Sequence, residues 1–335
     1  LYDALKSSGA VFGEKLGWER ANWFAERDEE PHDIYTFGQP NWHGAVAREH
    51  KAARDAAVLF DQTSFAKYIL TGPDAEQALQ WIAANRVDKP VGTIIYTQML
   101  NDNGGIECDL TCVRTKHTEY YITTGTGYAT HDFDWIGRNI PSDLNVQLVD
   151  VTSSNAVLSL FGPKARDILE LVTTGDVSNT VHPFGFARQI GISGCSVLAM
   201  RITYVGELGW ELHLPVENAQ TVYSALIEAG TPLGLRNAGY RAIETLRLEK
   251  GYRAWSSDIG PDHTPDEAGL GWAVKMKSNI SFKGRDAVAR QREEGIKKIM
   301  ATFTTDSDII LSGRETIYRN GHRCGWLSSA GFGHT

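Results

Sequence analysis

The chain is poor in cysteine and has no long apolar run. It contains four cysteines in 335 residues, at scattered positions and without a CxxC pair, so a disulfide scaffold is not expected and a reducing compartment is predicted. The longest apolar runs, such as 156–161, fall far short of the roughly eighteen residues that span a bilayer. The sequence therefore predicts a soluble protein that makes no membrane contact.

Basic residues, metal-binding motifs and targeting signals are also lacking. The formal net charge is −8, which argues against a nucleic-acid partner because phosphate binding requires clustered Lys and Arg. The ten histidines form no HExxH or HxH motif, so no metal site is predicted. The N-terminal segment lacks the apolar core of a secretory signal. We expect a cytoplasmic protein, or one of the mitochondrial matrix if the source is eukaryotic.

The order of patterns along the chain predicts an α+β fold. Apolar spacing predicts a helix over 42–60, and strands are predicted at 65–72, 120–124 and 155–160. Two strand-Gly-Pro-helix units, ILTGPDAEQAL at 69–79 and LSLFGPKARDIL at 158–169, resemble each other and suggest an internal duplication. Gly-Pro is also a common turn sequence before helices in unrelated proteins.

The segment 96–110, YTQMLNDNGGIECDL, has the pattern of a β-hairpin that presents Asp109. Apolar residues alternate with polar ones after the turn 101–105, which is the period of a half-buried strand. A carboxylate on a strand can be aimed at a ligand more accurately than one on a loop. A lone acid at such a position is more often a solvated surface residue than a ligand contact.

Two later segments carry further candidates. In ITYVGELGWELHLP, Glu211 alternates with Trp210 and Leu212 and so lies on the strand face opposite to them. In AGYRAIETLRLEKGYRAW, Glu244 and Arg247 stand at i,i+3 of a predicted helix and can form an ion pair. Taken alone, each acid is as consistent with a surface residue as with a binding site.

The sequence resembles a known family through several segments. These segments, in chain order, are REHKAARDAAVLFDQTSFAKYILTGPDA, NDNGGIECDL, YVGELGWELHLP, ETLRLEKG and TPDEAGLGWAVKMKSNISFKGRDA. Over most of the chain they resemble the aminomethyltransferase (T-protein) family of the glycine cleavage system. GEKLGWERANWF, EKGYRAW and DHTPDEAGLGWAVKM are more similar to the folate-binding half of dimethylglycine and sarcosine dehydrogenases.

The resemblance implies a tetrahydrofolate-binding protein with a three-part, cloverleaf-like fold. It implies an N-terminal extension or linker at 1–45 and a folate-binding region of two related α+β parts at 46–285. Residues 286–335 would begin a small C-terminal β-barrel that is incomplete in this chain.

The resemblance also implies site residues. Asp109 corresponds to the acid associated with one-carbon transfer, and Tyr96 to a position that lines the folate site. Tyr204 and Glu211 correspond to the aromatic residue and the acid that hold the pterin, and Tyr252 to a further aromatic contact. A pterin offers a flat π face and a donor-rich edge, which suit a tyrosine and a carboxylate.

The sequence departs from the glycine-cleavage enzymes at the triplet Ala242-Ile243-Glu244, where those enzymes carry Ala-Arg-Asp. This favours the subfamily linked to dehydrogenases. No GxGxxG follows a predicted strand, so FAD is expected only on a partner, namely a flavin-dependent amine dehydrogenase domain or subunit.

The implied function is capture of an iminium- or formaldehyde-level carbon from an oxidised methylated amine. Tetrahydrofolate would take up this carbon to form 5,10-methylenetetrahydrofolate. Three other functions stay open: a glycine-cleavage aminomethyltransferase or folate-dependent demethylase, a folate-binding module without turnover, and a structural neighbour of a flavin domain that uses Trp18, Trp23 and Trp42 as an interface.

Overall fold

The computed structural model describes residues 1–306 and 309–335. The helices are α1 (Tyr2–Ser7), α2 (His43–Asp55), α3 (Ala75–Ile82), α4 (Ala129–Asn139), α5 (Ala165–Val172), α6 (Ala219–Gly230), α7 (Tyr240–Glu249) and α8 (Arg285–Glu294). The strands are β1 (Ala10–Lys15), β2 (Trp18–Phe24), β3 (Ala57–Asp61), β4 (Ala66–Thr71), β5 (Ile94–Leu100), β6 (Ile106–Lys116), β7 (Glu119–Thr124), β8 (Gln147–Asp150), β9 (Asn155–Phe161), β10 (Ala187–Ile192), β11 (Cys195–Met200), β12 (Gly209–Pro215), β13 (Leu235–Asn237), β14 (Thr316–Arg319) and β15 (His322–Trp326). The mixed α and β content agrees with the predicted α+β class.

Two larger sheets share one strand order. The five-stranded sheet runs β5-β6-β7-β4-β8, and the six-stranded sheet runs β10-β11-β12-β9-β3-β13. The first five strands of the second sheet match the first sheet position by position, and in both sheets these neighbours pair antiparallel. The two Gly-Pro units of the sequence therefore follow equivalent strands, β4 and β9, and lead into α3 and α5.

The two halves of the chain exchange one strand each. β3 directly precedes β4 in sequence but pairs with β9, and β8 directly precedes β9 but pairs with β4. Each sheet is therefore completed by a strand that the other half of the chain supplies. The two halves of the chain cannot separate without breaking both of these pairings.

The glycine of each Gly-Pro unit packs against an exchanged strand. Gly72 and Gly162 both have φ +137, a region that residues with a side chain rarely adopt. A Cβ at Gly72 would lie 2.4 Å from the Asn145 carbonyl oxygen, and one at Gly162 would lie 2.4 Å from that of Ala56. These carbonyls lead into β8 and β3, so both glycines allow the same close approach.

Helices cover the outer faces of the two sheets. Leu79 of α3 and Ile136 of α4 pack on the five-stranded sheet, and α5 and α6 pack on the six-stranded sheet. The inner faces meet each other, where Val113 and Tyr121 contact Met200 and Ala187. Polar side chains of β5, β6 and β12 that do not face the helices are thus directed into the space between the sheets.

The remaining chain surrounds this pair of sheets. The β1–β2 hairpin, α2 and α7 form one cluster around Trp23. The segment after α7, together with α8, packs on Leu100 and Ile106 at the end of the β5–β6 hairpin. The C-terminal strands β14 and β15 form a two-stranded sheet. The partial barrel and the boundaries 1–45, 46–285 and 286–335 stay predictions.

The predicted helix over 42–60 is too long. α2 ends at Asp55, and Ala57–Asp61 forms the interior strand β3. The run AVLFD is buried on both faces, so it lacks the alternation that distinguishes a half-buried strand from a helix. In the described ranges, no helix has the length and apolar content that a membrane span requires.

Gly72→Ala and Gly162→Ala should each destabilise the protein by about 2 kcal/mol or more, because positive φ and the carbonyl contact both penalise a Cβ. The matched control is Gly137→Ala on α4, where an added Cβ meets nothing within 4 Å and should stabilise by about 0.5–1 kcal/mol. Urea unfolding measures the three changes. Equal effects at all three positions would contradict the packing described here.

Candidate functional site

The predicted acid Asp109 lies on the inner face of the five-stranded sheet. Its neighbours on β6, Cys108 and Leu110, face the outer helices, so the alternation of the strand turns Asp109 inward. Across the hairpin its register partner is Gln98 of β5. The Gln98 amide Nε2 donates a hydrogen bond of 2.8 Å to Asp109 Oδ1.

The surroundings of Asp109 set its ionisation. Burial raises the pKa of this carboxyl to about 6, while interactions with Tyr96 and Gln98 favour the ionised form. The buried Asp132 on α4 adds to the rise through its negative charge. The same burial and the Asp109 charge hold the pKa of Tyr96 well above its ordinary value, so Tyr96 stays protonated. Asp109 is therefore a carboxylate that can exchange a proton near neutral pH.

Two further predicted residues join this group. The rings of Tyr204 and Tyr252 are stacked, with centroids 6.0 Å apart and an interplanar angle of 22°. The Tyr204 hydroxyl donates to the Arg253 carbonyl at 2.8 Å. Tyr204 is near enough to Asp109 and Tyr96 to interact with both electrostatically. The structure thus brings together four of the five predicted site residues.

The fifth predicted residue, Glu211, belongs to a second polar cluster. It lies on β12 on the face opposite Trp210, as predicted, and its Oε2 is 3.4 Å from His213 Nε2. His213 Nδ1 is 3.0 Å from the hydroxyl of Tyr121, which comes from the facing sheet. Burial lowers the pKa of His213, so the ring is neutral at pH 7.

The two clusters lie on the facing surfaces of the two sheets. Tyr121 is the register partner of Val113, four positions beyond Asp109 on β6. At about 3.3 Å per residue, the strand places Val113 about 13 Å from Asp109. Within the described ranges, the polar contacts of Asp109 and of Glu211 share no residue, so a ligand that touches both must extend along β6.

Sequence reasoning missed Gln98, Tyr121 and His213. Gln98 is two positions after Tyr96, and His213 two after Glu211, so strand alternation places each on the same face as a predicted residue. That signal was sufficient to find both. Tyr121 depends on how the sheets face each other, which no local pattern contains.

The Gln98 amide oxygen is a buried hydrogen-bond acceptor without a donor among the described residues. Gln98 is fully buried, and Oε1 has no hydrogen-bond partner within the described part of the chain. A buried acceptor without a donor is costly. A ligand that brings an N–H group to this position would satisfy it.

Three side chains of types that can bind a metal lie close together near Asp109, on the opposite face of β6 and on α4. The ligand atoms of Cys108, His131 and Asp132 are within 4.8 Å of one another. However, Asp132 accepts a 2.6 Å hydrogen bond from Thr124, and His131 Nδ1 is 2.8 Å from Asp132 Oδ1. Burial also holds the pKa of the Cys108 thiol well above its ordinary value, which disfavours a thiolate ligand. These features are those of a hydrogen-bonded cluster, and the absence of a metal stays a prediction.

The chain is similar to known proteins over its whole length. It is 37% identical to the mitochondrial sarcosine dehydrogenase of Homo sapiens over 99% of this chain and 40% of that protein. It is 32% identical to the human mitochondrial dimethylglycine dehydrogenase over 100% of this chain and 39% of that protein. The chain thus spans about two fifths of these relatives.

Similarity also extends to aminomethyltransferases. The aminomethyltransferase of Symbiobacterium thermophilum is 36% identical over 82% of this chain and 74% of that protein. The crystal structure of the glycine cleavage system aminomethyltransferase T of Bartonella henselae covers 99% of this chain and 85% of that chain with a TM-score of 0.82 at 24% identity. This match confirms the aminomethyltransferase fold, while the partial C-terminal barrel stays a prediction. Residues 1–278 match the GCVT N-terminal domain. The chain belongs to this aminomethyltransferase family.

Proposed function

We propose that this chain binds tetrahydrofolate and transfers to it a one-carbon unit at the oxidation level of formaldehyde. The carbon would arrive as an iminium ion or formaldehyde from an oxidised N-methylglycine-type amine and leave as 5,10-methylenetetrahydrofolate. The two new C–N bonds to folate replace the bond to the amine, which is released demethylated, or the C=O bond of formaldehyde, whose oxygen leaves as water. The observation that carries the proposal is the half-buried Asp109, whose pKa is raised to about 6. Its hydrogen-bond partner Gln98 keeps an unsatisfied amide oxygen, and the Tyr204 and Tyr252 rings are stacked on each other.

The polar groups at this end of the site fit a reduced pterin. Asp109 and Gln98 Oε1 are both hydrogen-bond acceptors, and a reduced pterin presents N–H donors where an oxidised one presents lone pairs. Tyr204 and Tyr252 offer flat apolar surfaces for the ring. The side chains present therefore fit tetrahydrofolate.

The chain's own residues would promote the transfer in two ways. When bound, tetrahydrofolate supplies the nucleophilic nitrogens that take up the carbon. Asp109 would accept a proton from the attacking nitrogen and, as an anion in a dry site, stabilise positive charge that develops nearby. Tyr96 and Gln98 keep this carboxylate ionised and oriented.

Glu211 would bind the other end of the ligand. Its carboxylate can accept paired hydrogen bonds from an aminopyrimidine edge, which is the geometry that carboxylates favour. The side chain is 13% exposed, so such bonds would form in a partly desolvated site. In this proposal one folate molecule extends from Asp109 to Glu211.

The oxidation that produces the carbon would take place on a partner. The similar proteins from Homo sapiens are called dehydrogenases, and this chain spans about two fifths of their length. We propose a flavin-dependent amine dehydrogenase domain or subunit as the source of the carbon, with FAD bound there. The chain would act in the cytoplasm, or in the mitochondrial matrix if it is eukaryotic.

Tetrahydrofolate binding should require residues of both clusters. Calorimetric titration should show that Glu211→Ala and Tyr252→Ala each weaken binding at least about tenfold, because a hydrogen bond to a charged group or an aromatic contact contributes about 1–3 kcal/mol. The controls are the exposed Glu217→Ala and Tyr318→Ala, which should bind as the wild type does. Equal affinity for tetrahydrofolate in all five proteins would show that Glu211 and Tyr252 do not form the binding site.

The transfer rate should depend on the ionisation of Asp109. Formation of methylenetetrahydrofolate from formaldehyde should rise with pH through about 6, where this carboxyl loses its proton. Tyr96→Phe should move the midpoint upward, since the Tyr96 interaction lowers the pKa of Asp109. Asp109→Asn should slow transfer about a hundredfold or more while tetrahydrofolate still binds. If Asp109→Asn transfers at the wild-type rate, the assigned role is wrong.

A further inference from the structure

The segment that follows α7 determines where both site tyrosines lie. It begins at Gly251, whose φ of +63 ends the helix, and it carries Tyr252. The carbonyl oxygen of Arg253, the next residue, accepts the Tyr204 hydroxyl at 2.8 Å. The described secondary structure includes no helix or strand over 251–258, so turn hydrogen bonds, such as Tyr252 N–H to the Arg247 carbonyl at 2.9 Å, and side-chain contacts together set its shape.

Arg247 supplies these contacts from the last turn of α7. Its side chain is only 1% exposed. Nη1 donates to the Tyr252 carbonyl at 3.0 Å and to Asp258 Oδ2 at 2.6 Å. Asp258 Oδ2 also accepts the backbone N–H of Ala254 at 3.0 Å. One guanidinium therefore holds the segment at Tyr252 and, through Asp258, at its far end.

The other side of the guanidinium reaches the C-terminal segment. Nη2 donates to Ser329 Oγ at 2.8 Å and to Glu244. Ser328 Oγ donates to Asp258 Oδ1 at 2.6 Å. Because a buried carboxylate or guanidinium without its partner is strongly destabilising, these groups hold one another in a single arrangement. The planar fork of arginine satisfies several acceptors at once, which a lysine ammonium cannot do in the same geometry.

We infer that Arg247 is a positioning residue of the folate site, which acts through Tyr252 and through the Arg253 carbonyl that orients Tyr204. This inference rests on the proposed function. Arg247 would contribute to affinity for the pterin by fixing the two rings before the ligand arrives, because a pre-ordered site loses less entropy on binding.

The test is a double-mutant cycle on tetrahydrofolate affinity. Arg247→Lys should raise the Kd about tenfold in the wild-type background. In a Tyr252→Ala background it should raise the Kd by about twofold or less, since most of its effect passes through that ring. The loss in Tm should be similar in both backgrounds, so a purely structural role would not produce this pattern.

Two further variants complete the cycle. Arg241→Lys is the matched control, because Arg241 lies on the same helix and pairs with Asp33; its Kd should equal that of the wild type. Ser329→Ala removes one contact of Arg247 and serves if Arg247→Lys does not fold. It should raise the Kd about threefold in the wild-type background and leave the Kd unchanged with Tyr252→Ala.

The outcomes separate the two proposals. If the wild type does not bind tetrahydrofolate, the proposed function fails. If the wild type binds and Tyr252→Ala weakens binding, but Arg247→Lys and Ser329→Ala bind as tightly as the wild type, only the positioning role fails. It also fails if Arg247→Lys raises the Kd by the same factor in both backgrounds.

Discussion

The exchange of β3 and β8 between the two sheets is the constraint on which the rest of the structure depends. Each half of the chain completes the sheet of the other, so the two halves fold as one unit. The buried Lys67 lies where the two halves cross and donates to the carbonyls of Thr63 at 2.7 Å and Asn155 at 2.6 Å. Burial lowers the pKa of Lys67 to about 8, so the crossing retains a cation that is costly to bury.

The facing surfaces of the two sheets carry polar side chains. A packed apolar interior would be more stable than one that contains Asp109, Gln98 and Glu211, since buried polar groups cost free energy unless they are fully hydrogen-bonded. The unsatisfied oxygen of Gln98 and the raised pKa of Asp109 show that this cost is present in the folded protein. Both features are what a site prepared for a donor-rich ligand should have.

Structure could be predicted from the sequence where residues alternate with a clear helical or strand period. Contacts between residues far apart in the chain could not be predicted. Strand alternation placed Asp109 and Glu211 on the correct faces, and the i,i+3 spacing identified the Glu244–Arg247 pair. The run at 57–61 was assigned to a helix because a strand buried on both faces has no alternation. Neither the strand exchange nor the burial of Arg247 beneath the C-terminal segment leaves a local signal. The roles of the five site residues came from family resemblance and stay proposals.

The central claim is that one folate molecule lies between the sheets and touches both polar clusters. The most direct measurement is a crystal structure of this chain with tetrahydrofolate. Our account predicts a pterin whose reduced ring is within hydrogen-bonding distance of Asp109 and Gln98, with its aminopyrimidine edge on Glu211. A pterin bound outside this space, or one that leaves either carboxylate without a contact to the ligand, would contradict the account.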